Sequence, residues 1–203
     1  MRVLPIKYDE TKDWLLNIHY LKRMPCICYA FGLFVDDECL GVVTFGTPAS
    51  KFLCEGICGK HWKNNVLELN RMCFIKQVKN GNSYLIANAL KMMPKPLIIV
   101  SYADTEFGHI GKVYQACNFL YTGITKERTD ASGVDEDSHP RHGKDATKRK
   151  FRSAKHRYVM ISANKREKKK IMFDLRYDQL PYPSGTPSRY NIDHNPIIQG
   201  SLL

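Results

Sequence analysis

The chain has 203 residues, of which 43% are apolar and 11% aromatic. This is enough for one domain with a buried core, and it excludes a wholly disordered protein. No apolar run reaches the roughly 18 residues of a membrane span, and the first ten residues do not resemble a secretion signal. The seven cysteines are therefore expected to be reduced thiols of a soluble intracellular protein, with no membrane partner.

The positive charge is concentrated in one segment. The chain carries 31 Lys and Arg against 20 Asp and Glu, a net charge of +11. Residues 141–170 hold thirteen of the basic residues and only two of the acids, so the rest of the chain is neutral overall. A neutral body with one basic segment is typical of proteins that bind phosphate-rich partners such as nucleic acid. The alternative is a solvated charged run without a partner.

Apolar periodicity predicts a succession of helices and strands that begins with an amphipathic helix over 9–23. A hairpin follows, with strands over 26–35 and 40–45. The remaining predictions are a loop over 46–63, a strand over 66–75, a helix over 83–93, a strand over 97–100, a helix over 110–118, a strand over 119–124, a long loop over 125–152, a strand over 156–162 and a tail over 180–203. This succession predicts an α/β or α+β sheet protein.

A polar turn, Lys79-Asn80-Gly81-Asn82-Ser83, joins a predicted strand to a predicted helix. Backbone amides at a helix N-terminus can form a cradle for an anion. Gly81 permits a positive φ, and the asparagines on either side tolerate one. A plain strand-to-helix turn is the commoner explanation of such a pattern.

Tyr102 and Asp104 follow the continuously apolar strand at its carboxyl end, where open α/β sheets bind ligands. A carboxylate there can accept a proton or hold a metal, and Tyr102 or Tyr114 can donate a hydrogen bond. The alternative interpretation is that Asp104 caps the next segment and Tyr114 is an ordinary half-buried aromatic residue. His19, considered alone, is more simply a structural histidine.

The cysteines allow a further possibility. Cys54, Cys58 and His61, with Cys26 and Cys28 upstream, supply enough soft ligands for a tetrahedral zinc site. Neither spacing matches a known zinc signature, so ordinary buried thiols are the simpler interpretation.

Several short sequences occur together in a specific order. They are Leu69-Asn70-Arg71-Met72-Cys73-Phe74, Asn82-Ser83 at a helix start, Ser101-Tyr102-Ala103-Asp104, the run from Gly111 to Gly123, His19-Tyr20, Lys155-His156-Arg157-Tyr158 and Pro181-Tyr182-Pro183. With this order and spacing, from about residue 13 to 183, the chain resembles the phage Mom DNA-modification family.

The resemblance implies a fold and a function. The implied fold is a GNAT-like mixed central sheet flanked by helices, with a basic loop insertion before the last strand. The implied domain spans 1–180 and includes the basic insertion at 125–155, and a tail follows over 181–203. The implied activity places a carbamoylmethyl group on the exocyclic amine of adenine in double-stranded DNA. In the cytoplasm of the infected host, this modification protects phage DNA from restriction.

The resemblance also implies functional residues. The catalytic set is His19, Tyr20, Asp104 and Tyr114, which are also nitrogen and oxygen ligands that could hold iron. The set for acetyl-CoA or another acyl-CoA is Phe74, Ile75, Lys79, Asn80, Gly81, Asn82 and Ser83. The set for DNA and substrate is Tyr102, Arg141, Lys148, Arg149, Lys150, Arg152, Lys155 and Arg157.

The phosphate turn departs from the acetyltransferase pattern Q/R-x-x-G-x-G/A, because Asn80 and Asn82 occupy both glycine positions. Two other functions therefore remain open. One is an acyl-CoA N-acetyltransferase that acts on a protein or a small molecule. The other is a non-catalytic DNA-binding protein on a degenerate GNAT scaffold. For the adenine reaction, the conjugated amine needs a base such as Asp104 or His19, and the stacked adenine has to be flipped out of the duplex.

Overall fold

The computed structural model of the chain describes residues 1–133 and 144–186, and the side chains of 1–130 and 151–186. The strands in this part are β1 (Arg2–Pro5), β2 (Tyr29–Val35), β3 (Glu38–Gly46), β4 (Val66–Phe74), β5 (Leu97–Asp104), β6 (Leu120–Ile124), β7 (Arg128–Gly133), β8 (Lys144–Arg152) and β9 (Lys155–Ser162). The helices are α1 (Lys51–Cys58), α2 (Gly81–Met92), α3 (Lys112–Ala116) and α4 (Lys165–Asp174).

Seven strands form one mixed sheet in the order β1-β2-β3-β4-β5-β9-β6. All neighbours are antiparallel except β4 and β5, which are parallel. Their pairing ends at Glu68 of β4 and Val100 of β5, so the sheet opens between the two strands beyond this point. The mixed sheet with flanking helices that the sequence predicts is confirmed.

The two faces of the sheet bury separate apolar clusters. Because successive side chains of a strand point to opposite faces, Ile99 of β5 packs with α2 on one face and Ile98 packs with α1 and α4 on the other. On the second face, the Trp62 indole N–H donates to the Asp174 carboxylate at 2.7 Å and ties the segment after α1 to α4. Both faces of the sheet are therefore covered.

The predicted first helix is wrong as a continuous α-helix. A 3-10 turn spans Asp9–Thr11, a π-helical turn spans Trp14–Ile18, and the chain is extended at His19. The His19 N–H bonds to the Trp14 carbonyl at 2.8 Å, which widens the turn, and the Cys73 thiol donates to the same carbonyl. Packing against β4 replaces regular helical geometry here.

Two predicted loops are also wrong. Residues 46–63 contain α1, whose N-cap Ser50 accepts a hydrogen bond from the Leu53 N–H. Its buried side is formed by Cys54, Ile57 and Cys58 at helical spacing. The long loop predicted over 125–152 contains β7 and β8, which pair as a separate two-stranded sheet that we call the basic hairpin. A strand pair outside the core does not show the apolar alternation on which sequence prediction depends.

Other expectations are confirmed. Asp36 and Asp37 join β2 to β3 with φ values of 47° and 65°, as a two-residue hairpin turn requires. The strand and helix predictions from 66 to 124 and over 156–162 match β4, α2, β5, α3, β6 and β9, although β5 extends to Asp104. The sequence pattern missed β1 and α4. All seven cysteines are free thiols. Among the described residues, no helix is long and apolar enough to cross a membrane.

The predicted tail extends from 181 beyond residue 186, so its last part lies outside the described residues. The domain limits at 180 and 181 stay a prediction.

Candidate functional site

A bulge in β4 sets the composition of the site. Phe45 of β3 pairs with Leu69, but the next residue, Thr44, pairs with Arg71, so Asn70 is the extra residue. An extra residue reverses the alternation of side chains, and it brings Arg71 to the same face as Glu68. The Asn70 side chain is held by the Thr44 hydroxyl at 2.6 Å and by the Cys26 carbonyl at 2.8 Å. The bulge is therefore fixed on both sides.

Asp104 lies at the end of β5, directly opposite Lys155 of β9, and is 4% exposed. Its carboxylate accepts hydrogen bonds from the Ser153 hydroxyl and the Lys155 ammonium group. It also accepts the Glu106 N–H at 3.1 Å and so caps the turn Thr105–Phe107. Asp104 therefore does have the capping role considered from the sequence, and it holds a buried ion pair as well.

Lys155 lies in a positively charged environment. Burial lowers the pKa of its ammonium group to about 8, and the guanidinium groups of Arg71 and Arg23 contribute to the decrease. The Glu68 carboxylate acts in the opposite direction. In turn, burial raises the pKa of Glu68, while Arg71 and Lys155 oppose that rise. Within the described residues, the Glu68 carboxylate has no hydrogen bond or ion pair.

Four rings form what we call the aromatic cluster: His19, Tyr20, Phe107 and His109. His19 stacks on Tyr20 with ring centroids 4.4 Å apart, and the tilted ring of Phe107 has its centroid 4.4 Å from that of Tyr20. His109 meets the edge of Tyr20 at 5.6 Å. Phe107 and His109 follow Asp104 directly in the chain, so the cap at Asp104 helps to position half of the cluster.

His19 is 3% exposed, and its Nδ1 accepts the Leu21 N–H at 3.1 Å. Burial lowers the pKa of the imidazole to about 3, with further contributions from Arg71 and His109. The ring is therefore neutral near pH 7. Because Nδ1 is an acceptor, the proton is on Nε2. In this form the lone pair of Nδ1 is engaged by the Leu21 N–H, and the low pKa makes the ring a weak base.

Tyr114 of α3 lies on the other face of the sheet. Its ring packs 5.5 Å from Phe119 and 5.3 Å from Tyr158. Burial raises the pKa of its phenol to about 12, and a hydrogen bond with the Ser101 hydroxyl partly opposes this rise. In the described part of the chain no hydrogen bond joins Tyr114 to Asp104. The structure thus brings His19 and Tyr20 together, but Tyr114 approaches the site from the opposite face.

The predicted cofactor turn lines a groove of about 670 Å³, which is formed by residues 77–83 with Lys112, Val113 and Ala116 of α3. Asn80 has a φ of 58°, so the asparagine and not Gly81 adopts the left-handed conformation. The Gly81 N–H bonds to the Val78 carbonyl, whereas the amides of Asn82 and Ser83, in the first turn of α2, make no hydrogen bond among the described residues.

Phe74 and Ile75 are not part of the groove lining. A Cβ on Gly81 would lie 3.2 Å from the Phe74 ring, so this side chain packs beneath the turn. Ile75 is exposed beyond the end of β4.

The predicted DNA-binding residues are in different environments. Tyr102 packs in the core on the α1 and α4 face, and burial raises the pKa of its phenol. Arg157 stacks on the Tyr177 ring with 3.5 Å to its centroid. Arg152 is in an ion pair with Asp130 at 3.4 Å. The backbone of Lys148, Arg149 and Lys150 is in β8, but their side chains, like all of Arg141, lie outside the described residues.

The proposed metal ligands do not fit a metal site. Both carboxylate oxygens of Asp104 are bound by protein donors, His19 already uses Nδ1, and Tyr114 lies on the other face. Over residues 1–130 and 151–186, whose side chains are described, no group of three or more His, Cys, Asp or Glu side chains is arranged to hold a metal ion. This finding also gives no support to the zinc alternative at Cys54, Cys58 and His61.

Sequence reasoning missed several residues of this site. Arg71 belongs to the run from Leu69 to Phe74 that carries the family resemblance, but it is in none of the predicted catalytic, cofactor-binding or DNA-binding sets. Glu68, Phe107 and His109 are likewise in none of these sets. The signal that was available is that Glu68 and Arg71 are the only charged residues in β4.

Comparison with known proteins gives the family. A model of the Mom protein family matches residues 1–184. The chain belongs to the Mom protein family. Among curated proteins, it is similar to the methylcarbamoylase mom of Escherichia phage Mu, with 27% identity over 129 residues. That alignment covers 58% of this chain and 54% of the relative, so the chain spans about half of the relative's length.

Solved structures of acetyltransferases align with this member of the Mom family. An N-acetyltransferase from Staphylococcus aureus Mu50 is 14% identical, with a TM-score of 0.48, over 79% of this chain and 98% of that chain. The aminoglycoside 6'-N-acetyltransferase from Enterococcus faecium is 10% identical, with a TM-score of 0.46, over 81% and 99%. These identities and TM-scores are too low to indicate a cofactor or a substrate for this chain.

Proposed function

We propose that this member of the Mom family is an enzyme that modifies the exocyclic amine of adenine in double-stranded DNA. The group it adds is a carbamoylmethyl group, and the modification protects phage DNA from restriction in the host cytoplasm. The observation that carries the proposal is the aromatic cluster beside the buried Asp104–Lys155 pair, in a chain that matches the family over residues 1–184.

The aromatic cluster provides a surface for a flipped base. Adenine in a duplex must leave the stack to react, and aromatic rings replace its stacking partners at about 1–3 kcal/mol per base. His19, Tyr20 and Phe107 supply such rings.

Proton removal is assigned to Glu68. The adenine amine must lose a proton when its nitrogen forms a new bond, and a carboxylate with a raised pKa is suited to accept it. Burial raises the pKa of Glu68, and Asp104 is already bound by Lys155 and Ser153. Asp104 is therefore a positioning residue that holds Lys155 and the turn that carries Phe107.

The groove at residues 77–83 fits a phosphate-bearing donor such as an acyl-CoA. Amides of Asn82 and Ser83 at the start of α2 can bind phosphate oxygens, and Lys79 and Lys112 contribute positive charge. A bound acyl-CoA supplies an activated acyl carbon. Acyl transfer alone gives an amide, so a carbamoylmethyl product requires additional chemistry from its donor. Iron is not assigned a step, because the residues proposed to hold it are engaged elsewhere.

Nucleoside analysis tests the proposal. Plasmid DNA from bacteria that express wild type, Glu68→Gln or Glu38→Gln is digested to nucleosides and measured by mass spectrometry. We expect a new deoxyadenosine adduct whose mass identifies the added group, with at least a 100-fold loss in Glu68→Gln. Glu38, an exposed residue of β3, is the matched control and should keep the wild-type level.

Unmodified DNA from folded wild type, both in phage-infected cells and in uninfected ones, would refute the adenine reaction. The groove would then favour an acyl-CoA N-acetyltransferase for a protein or small molecule. Acetyl-CoA consumption in a DNA-free extract separates that function from a non-catalytic DNA-binding protein, which consumes none.

A further inference from the structure

Three cationic side chains from distant parts of the chain influence one another electrostatically near His19 and Tyr20 of the aromatic cluster. Arg23 follows the π-helical turn, Arg71 is in β4 and Lys155 begins β9. We call them the cation cluster. Arg23 lowers the pKa of Arg71 and of Lys155, and Arg71 lowers that of Lys155, so each is close enough to repel another.

Among the described residues, Arg71 makes few of the hydrogen bonds that a buried guanidinium normally makes. It is 8% exposed, and its Nη1 donates to the carbonyl of the adjacent Asn70 at 2.6 Å. Its Nε is buried and has no partner within the described part of the chain. Buried polar groups in folded proteins are nearly always satisfied by protein, water or ligand. The orphaned Nε therefore marks a position at which an acceptor is missing.

The neighbouring acids do not supply that acceptor. Asp104 is occupied by the Lys155 ammonium, the Ser153 hydroxyl and the Glu106 N–H. Glu68 forms no ion pair with Arg71 or Lys155 in the described residues, although it lies close enough to affect both. In the described part of the chain, the acidic neighbours of these two guanidinium groups and one ammonium group are thus Asp104, which is fully engaged, and Glu68, which has no ion pair.

We infer that the cation cluster is a binding site for an oxyanion, a carboxylate or phosphate group of a small molecule or nucleotide. Two oxygens of such a group match the edge formed by Nε and Nη2 of Arg71, the geometry of bidentate guanidinium pairs. Arg23 and Lys155 supply the remaining positive charge. This site is distinct from the groove at residues 77–83, and its occupancy is measured without any turnover of DNA.

Anion-dependent thermal unfolding tests the site. The unfolding midpoint is titrated with sodium phosphate and, separately, with sodium acetate, at constant ionic strength maintained with sodium chloride. Wild type is compared with Arg71→Gln and with Arg2→Gln, an exposed arginine of β1. Each unfolding midpoint is compared with that of the same variant without added anion. A change in the basal stability of a variant therefore does not affect its apparent anion affinity. We expect Arg71→Gln to weaken the apparent affinity by about 10- to 100-fold and Arg2→Gln to leave it unchanged.

The two anions distinguish the source of the group. The site is assigned to a nucleotide if phosphate and deoxyadenosine monophosphate both bind and deoxyadenosine does not. Acetate binding without phosphate binding assigns it to a carboxylate of the donor. Arg23→Gln is the second variant if Arg71→Gln fails to fold, and it should weaken binding in the same direction. Anion binding that is equal in wild type and in the folded variants, or absent from wild type, overturns the inference.

Discussion

Asp104 and Lys155 face each other across β5 and β9, and their ion pair lies at the point where the basic hairpin leaves the sheet. Ser153, the first residue after β8, donates to the same carboxylate. One acidic side chain at the end of a central strand therefore fixes the end of the hairpin. The same side chain caps the turn that carries Phe107 and His109.

Asp104→Asn should be strongly destabilising because it leaves the partly buried Lys155 without its counter-charge. Breaking a buried ion pair from one side costs about 3 kcal/mol. Asp130→Asn is the control, since its ion pairs with Arg128 and Arg152 are more exposed, and it should cost less than about 1 kcal/mol. Urea unfolding measures both. Equal costs for the two substitutions would contradict the structural role of the Asp104 pair.

His19 should make stability depend on pH below 6.5. Its pKa falls from 6.5 in the unfolded chain to about 3 in the folded protein. Between these values the unfolded state binds a proton that the folded state does not, so stability is complete above pH 6.5 and falls with decreasing pH. The expected slope is about 1.4 kcal/mol per pH unit. Urea unfolding of wild type and His19→Gln at pH 4–7 isolates the contribution of His19 as the difference between the two free energies of unfolding. A difference that does not change with pH would show that His19 is not buried as a neutral ring.

Gly111→Ala should destabilise the domain by about 3 kcal/mol. Gly111 has a φ of 71°, and a Cβ would lie 2.4 Å from the Tyr158 ring. Backbone strain and overpacking each cost about 1–2 kcal/mol. Gly123→Ala separates the two effects, because Gly123 has a φ of 98° but only an ordinary contact, 3.5 Å to Leu180. Gly123→Ala should lower the free energy of unfolding by about 1 kcal/mol. Equal losses for Gly111→Ala and Gly123→Ala in chemical denaturation would show that the Tyr158 contact contributes nothing.

Phe107→Leu should reduce DNA modification about 10- to 100-fold, since it removes a ring against which a flipped base can stack while it keeps apolar volume. Phe173→Leu is the matched control, because Phe173 of α4 is 90% exposed. The adduct level in digested DNA measures both variants. Full modification by a folded Phe107→Leu protein would exclude the aromatic cluster as the base-binding surface.

The basic hairpin should determine how DNA affinity depends on salt. Replacing Lys148, Arg149 and Lys150 with Gln removes three charges from β8, and each phosphate contact contributes about 0.9 to the slope of log affinity against log salt. We expect a slope smaller by about 2–3. The control triple, Lys168, Lys169 and Lys170 on α4, should retain the wild-type slope in fluorescence anisotropy. Equal losses would indicate that net charge and not the hairpin controls binding.

The sequence predicted those parts of the fold that periodicity encodes. The succession from β4 to β6 was recognisable because buried strands and an amphipathic helix alternate there. The π-helical turn at Trp14–Ile18 was not recognisable, because contacts with β4 and not local sequence widen it. The basic hairpin was missed because its strands lie outside the apolar core.

The site was predictable only in part. Asp104 was identified by its place after a buried strand, and His19 and Tyr20 by family resemblance. Arg71 lies on the same face of β4 as Glu68 because of the bulge at Asn70, and no local sequence pattern predicts this bulge. The engagement of Asp104 by Ser153 likewise depends on the pairing of β5 with β9, far apart in the chain.

The attachment of the hairpin has a mechanical consequence. A force applied to β8 reaches the sheet through Arg152 and Ser153, and Ser153 is hydrogen-bonded to Asp104. A tilt of the hairpin must therefore either stretch this hydrogen bond or rotate the carboxylate, and rotation shifts the turn that carries Phe107 and His109. Movement of the basic hairpin is therefore coupled to the turn Thr105–Phe107, and through this turn to the Phe107 ring of the aromatic cluster.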